Sequence, residues 1–430
     1  MTYEEARAFI AETATYGYRL GLDCIREMLA RLGNPQDSQR FIHIAGTNGK
    51  GSVLAYISTV LKEAGYRVGR YSSPAIYSYR ERIQVNEENI SRADLARLTE
   101  RIFRTGRGMV ADGLLHPTCF EVETVLAFLY FQEQNCDLVV LETGMGGLTD
   151  ATNVVNTTLV SVLTSISMDH MGFLGNTLEE IATMKAGIIK PDSRVVSARQ
   201  QPEAEAVIER TCQERNCVCG QVEEDQLRDI KYGMAVQSFS YKQYENLTIR
   251  LAGVHQIANA ALAVEALEAV GKLGYSVTEE ALHRGLANTI WRGRFTVLEE
   301  NPLFILDGAH NRDAADRLLE TLKKYFPGRR MIYIMGVLAD KEYTYIASVL
   351  APLAAKIFTV MTPDNPRALS AEDLAQAVKP YNSRVQAAES LTQAVKMARE
   401  AAEPEDVILA FGSLSYLGEL ERIVKGNRSK

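Results

Sequence analysis

The sequence is short of the features that would send a chain to a membrane, to nucleic acid or out of the cell. No apolar run in its 430 residues reaches the length of about twenty needed to cross a bilayer. The opening stretch, MTYEEARAFIAETATYG, is acidic and helix-patterned, where a secretory signal would be basic and then apolar. There is no basic excess. Against 54 Asp and Glu stand 47 Lys and Arg, a net charge of −7, which argues against nucleic acid as the main partner. A local basic pocket around an anionic substrate remains compatible with that balance. Cysteine is sparse, with six residues. Cys212, Cys217 and Cys219 lie close together but lack the second pair or nearby His of a zinc site, so free thiols in a reducing compartment are expected. No low-complexity tract interrupts the chain. These absences leave a cytoplasmic globular protein, 46% hydrophobic and 23% charged, that is too long for one ordinary core. Two domains are therefore expected, with the border at 295/296.

What is present is organised around FIHIAGTNGKGS at 41–52. A short apolar run (Phe41, Ile42, Ile44, Ala45) reads as a buried strand, and a helical pattern follows from Val53 to Ala64. Between them lies a glycine-rich turn ending in a lysine, Gly46-Thr47-Asn48-Gly49-Lys50-Gly51-Ser52. This is the arrangement in which backbone N–H groups and a helix N-terminus surround phosphate oxygens while the lysine reaches toward the β- and γ-phosphates. Against the general pattern, Ile44 stands at the first glycine and Gly51 separates Lys50 from Ser52. Farther on, the buried run DLVVLE at 137–142 is a parallel strand ending in Glu142, where a nucleotide-hydrolysing enzyme places its acidic metal partner. Another strand, 159–166, leads to His170 beside Asp169. Its imidazole could complete a magnesium shell with Glu142.

The remaining elements read less directly. Residues 17–36 have the spacing of an amphipathic helix (Leu22, Ile25, Leu29, Leu32) stopped by Gly33-Asn34-Pro35. Residues 91–105 read as a charged surface helix, and 118–134 as a largely apolar helix with Glu121 and Glu123 near its start. The helix opening at 251–264 carries Gln256 and Asn259 three apart, on one face. From Leu303 the pattern restarts as alternating strands and helices, with strands near 303–306, 331–335, 356–360 and 406–411, the mark of a second, smaller Rossmann-like domain.

Motifs in order from Gly17 to Glu419 resemble those of the Mur ligase family, and within it the folylpolyglutamate synthase/dihydrofolate synthase branch. They are LGL…LGNPQ, GTNGKGS, SSPAIYSYRERI, ETGMGGLTDATN, DHMGFLGNTLEEIATMKAGIIK and GVHQIANAALA, followed by WRGRF, DGAHNRDA and FGSLSYLGE. The resemblance implies an α/β fold with a P-loop Mur-ligase-like central domain, built on a mainly parallel sheet, plus the smaller Rossmann-like C-terminal domain. It implies a magnesium oxygen from Ser73 and a carbamylated lysine at Lys185, the alternative being a plain lysine that binds phosphate directly. Nucleotide contacts are implied for Gln256, Asn259, Arg294, Asp307 and His310, and substrate contacts for Arg80, Arg82, Glu121, Asp150 and Thr152. Ser413 is a further candidate near the closing motif. Three positions depart from the pattern: Ala75 stands for a His or aromatic residue, Leu148 for an Arg and Arg312 for a Pro.

The reaction so implied is an ATP- and Mg²⁺-dependent amide ligation. A folate or pteroate carboxylate is activated as an acyl phosphate and captured by the amine of L-glutamate. Lys50 and Arg294 neutralise phosphate charge, and His170 is a candidate to take up the amine proton. A monovalent cation is a further cofactor the resemblance allows, and a monomer is expected. Two other readings stand beside this one. A peptidoglycan-type ligase would ordinarily need a domain for which the residues before Gly46 leave no room. A nucleotide-binding regulatory protein with a decayed site would bind ATP without turnover.

Overall fold

The computed structural model describes residues 1–17, 19 and 21–426. By its contacts the chain sorts into two compact units. One comprises Met1–Asp229, Phe239–Thr248 and Ala258–Thr289; the other comprises Ile230–Ser238, Ile249–Ile257 and Ile290–Lys430. Two short segments within 230–257 thus pack with the later part of the chain, ahead of the border at 295/296.

The first unit is built on strands β1 (Phe41–Ala45), β2 (Val68–Tyr71), β3 (Ile83–Val85), β4 (Glu88–Asn89), β5 (Leu138–Glu142), β6 (Thr158–Leu163), β7 (Arg194–Ser197) and β8 (Val218–Gln221). They form one eight-stranded sheet in the order β4-β3-β2-β5-β1-β6-β7-β8. From β2 to β8 every pair is parallel; β3 and β4 add an antiparallel edge. Every residue of β1 and β5 is buried, as central strands covered by helices on both faces must be. The covering helices are correspondingly apolar. Lys50–Glu63 is buried from Gly51 to Leu61, and Cys119–Glu133 from Glu121 to Phe131. Helices Tyr3–Glu12, Cys119–Glu133 and Leu178–Ala186 each begin with a T-x-x-E capping box (Thr2/Glu5, Thr118/Glu121, Thr177/Glu180), which satisfies backbone donors the helix leaves open.

Strands β9 (Leu227–Lys231), β10 (Gln237–Tyr241) and β11 (Tyr244–Ile249) form a separate three-stranded sheet, ordered β11-β10-β9. In the second unit, β12 (Thr296–Glu300), β13 (Leu303–Leu306), β14 (Met331–Met335), β15 (Ala354–Thr359), β16 (Val385–Ala387) and β17 (Val407–Phe411) make a six-stranded sheet in the order β12-β13-β17-β14-β15-β16. It is parallel except for β12, which runs antiparallel to β13. The mainly parallel central sheet and the smaller α/β unit agree with the fold class expected from sequence.

Several local expectations shift. The helix after the glycine turn starts at Lys50 rather than Val53, because Gly49 takes a left-handed conformation (φ 92°) and acts as the cap. The expected helix over 17–36 is confined to Asp23–Arg31, preceded by Gly21 at φ 108° and followed by a 3₁₀ turn at Pro35–Ser38. Positions 18 and 20 of that stretch lie outside the described residues. The helix read as 91–105 extends over Arg92–Ala111 and is amphipathic, with Leu95, Leu98, Ile102 and Met109 buried. The edge strands β12 and β16 had no signal, being short and only partly covered. Among the described residues, no helix is long and apolar enough to cross a membrane.

Candidate active site

Strand register assembles the site. Tyr71 of β2 pairs with Leu141 of β5, Ile44 of β1 with Glu142, and Ala45 with Leu163 of β6. The C-terminal ends of four adjacent parallel strands therefore coincide, and the loops at 72–78, 143–150, 46–49 and 164–170 leave the sheet at one edge. This is where open α/β sheets bind ligands.

The glycine turn is strapped to the segment after β6. Thr47 N–H donates to Ser165 O at 2.8 Å, Thr47 Oγ1 donates to Ser167 O at 3.0 Å, and Ser167 N–H donates back to Thr47 Oγ1 at 3.0 Å. Asn48 makes an antiparallel bridge with Ser165. A Cβ at Gly46 would run into the Thr164 side chain, and one at Gly49 would lie 2.7 Å from Asn259 Oδ1. Glycine at both positions is thus a packing requirement, and Asn259 is placed directly against the turn. Lys50 folds over the loop, donating from Nζ to Gly46 O (3.1 Å) and Thr47 O (3.3 Å). Gly51 and Ser52 lie in the first turn of the helix, whose N-terminus faces the loop; both are buried.

Lys185 comes from the far end of Leu178–Ala186 and donates from Nζ to the same Gly46 carbonyl at 2.9 Å. Only 3% exposed, it is pulled down to about 7, first by burial and then by the Lys50 cation; Asp169 and Asp150 oppose that shift. Its helix end is locked by the 143–149 loop. Leu148 N–H donates to Met184 O at 2.7 Å, and a Cβ at Gly147 would lie 2.8 Å from both Lys185 O and Met184 O.

Of the three expected magnesium donors, Ser73 and Glu142 are brought together: Ser73 N–H donates to Glu142 Oε2 at 3.3 Å, and Glu142 is buried. His170 caps a short helix in a left-handed conformation (φ 51°), with Nε2 3.8 Å from Asp169 Oδ2. A carboxylate and a hydroxyl at a sheet edge are the hard oxygen donors Mg²⁺ prefers, so the residues present fit that ion. Among the described residues, no cluster of three or more His, Cys, Asp or Glu is arranged to hold a metal. The expected set, with one carboxylate, one imidazole and one hydroxyl, is smaller than such a cluster.

The five expected substrate residues are all engaged by the protein itself. Arg80 Nη1 donates to Ile90 O at 2.8 Å. Arg82 Nη1 pairs with Glu123 Oε2 at 2.9 Å, and Tyr79 OH donates to Glu123 Oε1 at the same distance. Glu121 accepts from Thr118 N–H and Oγ1 in the helix cap. Asp150 accepts from Met145 N–H at 2.8 Å and from Thr152 Oγ1 at 2.5 Å, and Thr152 Oγ1 meets His43 Nε2 at 2.9 Å. Burial raises the Asp150 carboxyl and drops the His43 imidazole to about 3, so His43 is neutral inside the fold. This buried chain ties β1, just ahead of the glycine turn, to the loop after Glu142. His43 carries no catalytic motif signal and was missed by sequence reasoning, as was the Ser165–Ser167 strap, whose work is done by backbone atoms.

In the second unit, Asp307 accepts from Phe295 N–H (3.0 Å) and Ala309 N–H (2.8 Å), bracing the GRF and GAH loops together. Burial raises its carboxyl, with Arg294 pulling the other way. Arg294 Nη1 donates to Gly293 O at 3.2 Å, and His310 Nδ1 lies 2.7 Å from Gly308 O. Gln256 is fully buried beside His255, with Nε2 3.3 Å from His255 Nε2. Ser413 caps the turn Leu414–Tyr416. Arg312, in place of the family's Pro, lies 4.0 Å from the Tyr345 ring centroid and 3.3 Å from Glu342. Leu148 remains 42% exposed, and Ala75 sits in a turn whose N–H groups at Tyr77 and Ser78 donate to Glu81.

Comparison with known proteins shows the family. Residues 44–267 match the Mur ligase middle domain, and 293–414 match the Mur ligase glutamate ligase domain. The chain is 37% identical over 98% of its length to the dihydrofolate synthase/folylpolyglutamate synthase of Bacillus subtilis, covering 99% of that protein. Among solved structures it is similar to a Mycobacterium tuberculosis folylpolyglutamate synthase complexed with ADP and AMPPCP (TM-score 0.89, 31% identity, all of both chains covered). It is also similar to E. coli FolC in complex with DHPP and ADP (TM-score 0.85, 30% identity, 99% of this chain and 98% of that one). The chain belongs to the Mur ligase family, in its folylpolyglutamate synthase/dihydrofolate synthase branch.

Proposed function

We propose that the protein is an ATP-dependent ligase that adds L-glutamate to a folate, by extending tetrahydrofolate, by converting dihydropteroate to dihydrofolate, or both. The observation that carries this reading is the convergence of Lys50 and Lys185 on the Gly46 carbonyl, at a helix N-terminus one strand from the Ser73–Glu142 pair. The Lys50 cation, open helix N–H groups and a carboxylate at one sheet edge, with Lys185 beside them, suit phosphoryl transfer between anions.

A carboxylate is a poor electrophile toward an amine, and ATP supplies the phosphoryl group that turns it into an acyl phosphate. Lys50 and the N–H groups at the start of Lys50–Glu63 offset the charge of the transferring group. Glu142 and Ser73, with His170, would hold Mg²⁺, which would neutralise phosphate oxygens. We assign nucleotide contacts to Gln256, Arg294, Asp307 and His310, and to Asn259 beside Gly49. His170 is our candidate to take up the amine proton. Glu121, Asp150 and Thr152 act by holding loops in place; Arg80 and Arg82 border the acceptor.

At Lys185 we favour carbamylation. A lysine near 7 is substantially the free amine at neutral pH, and that amine adds CO₂ with loss of a proton. The product replaces a buried cation beside Lys50 with an anion that attracts it. Free thiols at all six cysteines suit a reducing, cytoplasmic setting.

The test is ADP release with ATP, Mg²⁺ and L-glutamate, comparing dihydropteroate and tetrahydrofolate as acceptors, with product mass read for one added glutamyl unit. Turnover on either acceptor supports the reading, and turnover on both makes the enzyme bifunctional. Bound ATP with no acceptor-dependent turnover overturns it.

A further inference from the structure

The outer edge of the first sheet carries thiol chemistry that ligation does not use. β8 is the last strand of that sheet, and its register with β7 sets Cys219 against Val195 and Gln221 against Ser197. Partners in register on parallel strands point to the same face, as do residues two apart on one strand. Val195 packs in the same core cluster as Cys212, which lies near the end of the helix Pro202–Glu214. Gln221 donates from Nε2 to Glu205 Oε1 of that helix at 3.0 Å. Cys219 therefore faces the same helix as the buried Cys212, and the two thiols interact. The chain between them is drawn tight by Cys217 N–H donating to Cys212 O at 2.8 Å.

The two thiols are unlike. Cys212 is 3% exposed, whereas Cys219 is exposed on the sheet edge. Their mutual contact pulls Cys219 down and pushes Cys212 up; burial and the carboxylates Glu209 and Glu205 work against the shift at Cys219. The third thiol of the group is turned elsewhere. Cys217 Sγ lies 3.1 Å from Lys190 O and 3.7 Å from Ser193 Oγ.

We propose that Cys219 and Cys212 form a reversible oxidation site, with Cys219 oxidised by a hydroperoxide and Cys212 resolving the product to a disulfide. The Cys219 thiolate attacks the peroxide oxygen, the O–O bond breaks, and the departing oxygen leaves as an alcohol or water after taking a proton. Cys219 is then a sulfenic acid. The Cys212 sulfur attacks the Cys219 sulfur, the S–O bond breaks, and the hydroxyl leaves as water with the Cys212 proton. Two thiols have lost two electrons and two protons; the hydroperoxide has been reduced to an alcohol, or water, and one further water. Small-molecule thiols reverse the bond by exchange, so in a reducing compartment it is transient. Once formed, it staples the edge strand to the end of its covering helix.

The experiment treats the full-length protein with hydrogen peroxide, alkylates the remaining thiols under denaturing conditions and maps the peptides by mass. The expected result is a linked Cys212–Cys219 peptide lighter by two hydrogen atoms, lost on reduction and retained in Cys217→Ser. In Cys212→Ser, a dimedone adduct should accumulate at Cys219. A Cys219 that is still fully alkylated after peroxide overturns the proposal, as does a crosslink through Cys217. Both of these outcomes are read on the unmutated protein, so they decide even if a variant misfolds.

Discussion

At the residue scale, the account rests on a few charged groups whose settings differ. Lys50 and Glu142 lie at the ends of adjacent strands, where the proposed site would balance phosphate and metal charge. Lys50→Ala or Glu142→Ala should lower acceptor-dependent ADP formation by about a hundredfold or more, since one such electrostatic contact is typically worth that much. Circular dichroism and the melting temperature should stay unchanged, and near-normal turnover in either variant would contradict the assignment. Lys185 offers a separate check. Its folded value near 7 lies below the ordinary lysine range, so between the two the unfolded chain binds more protons than the folded one. Its contribution to stability is therefore least favourable below about pH 7 and improves as pH rises toward the ordinary lysine range. Removing bicarbonate and CO₂ should lower turnover, and readdition should restore it; indifference to CO₂ would favour a plain lysine. Thr152 tests the buried chain. Thr152→Val keeps the shape but takes partners from His43 and Asp150, and should cost about 1–3 kcal/mol in urea unfolding.

At the scale of elements, the glycine turn shows what sequence can carry. The strand–turn–helix around Gly46-Thr47-Asn48-Gly49-Lys50 was legible because a glycine-rich turn between an apolar run and a helical pattern makes demands on residue type within a few positions. The structure adds that both glycines are also hemmed in by neighbours. Gly46→Ala should push against Thr164 and pull the turn off the 164–167 strap, weakening ADP binding at least tenfold by calorimetry. Unchanged affinity would mean the strap does not set the loop. The helix over Cys119–Glu133 carried an opposite lesson. Glu121 looked like a site residue from its motif, yet its carboxylate is spent on the Thr118 cap, because a T-x-x-E string has the same letters whether it caps or catalyses. Arg82 and Glu123 were visible as charges, but their pairing across 41 positions has no local signature.

At the scale of the whole molecule, the order of motifs and the alternation of strands and helices revealed the two larger sheets and the family before any coordinates. The sharing of 230–257 between two units was not legible, since it depends on contacts between segments far apart in sequence. Nor was the buried link from His43 to Asp150, which joins residues more than a hundred positions apart. The three departures fall on or near the surface: Leu148 and Arg312 are exposed and Ala75 lies in a turn, so none of them disturbs the core.

The central claim is that the acceptor's carboxylate is phosphorylated before the amine attacks. Its most direct test labels that carboxylate with heavy oxygen and follows the label through one turnover. The account predicts one labelled oxygen transferred to the released phosphate for each amide formed, as only an acyl phosphate passes that atom across. Amide formation with unlabelled phosphate would contradict it.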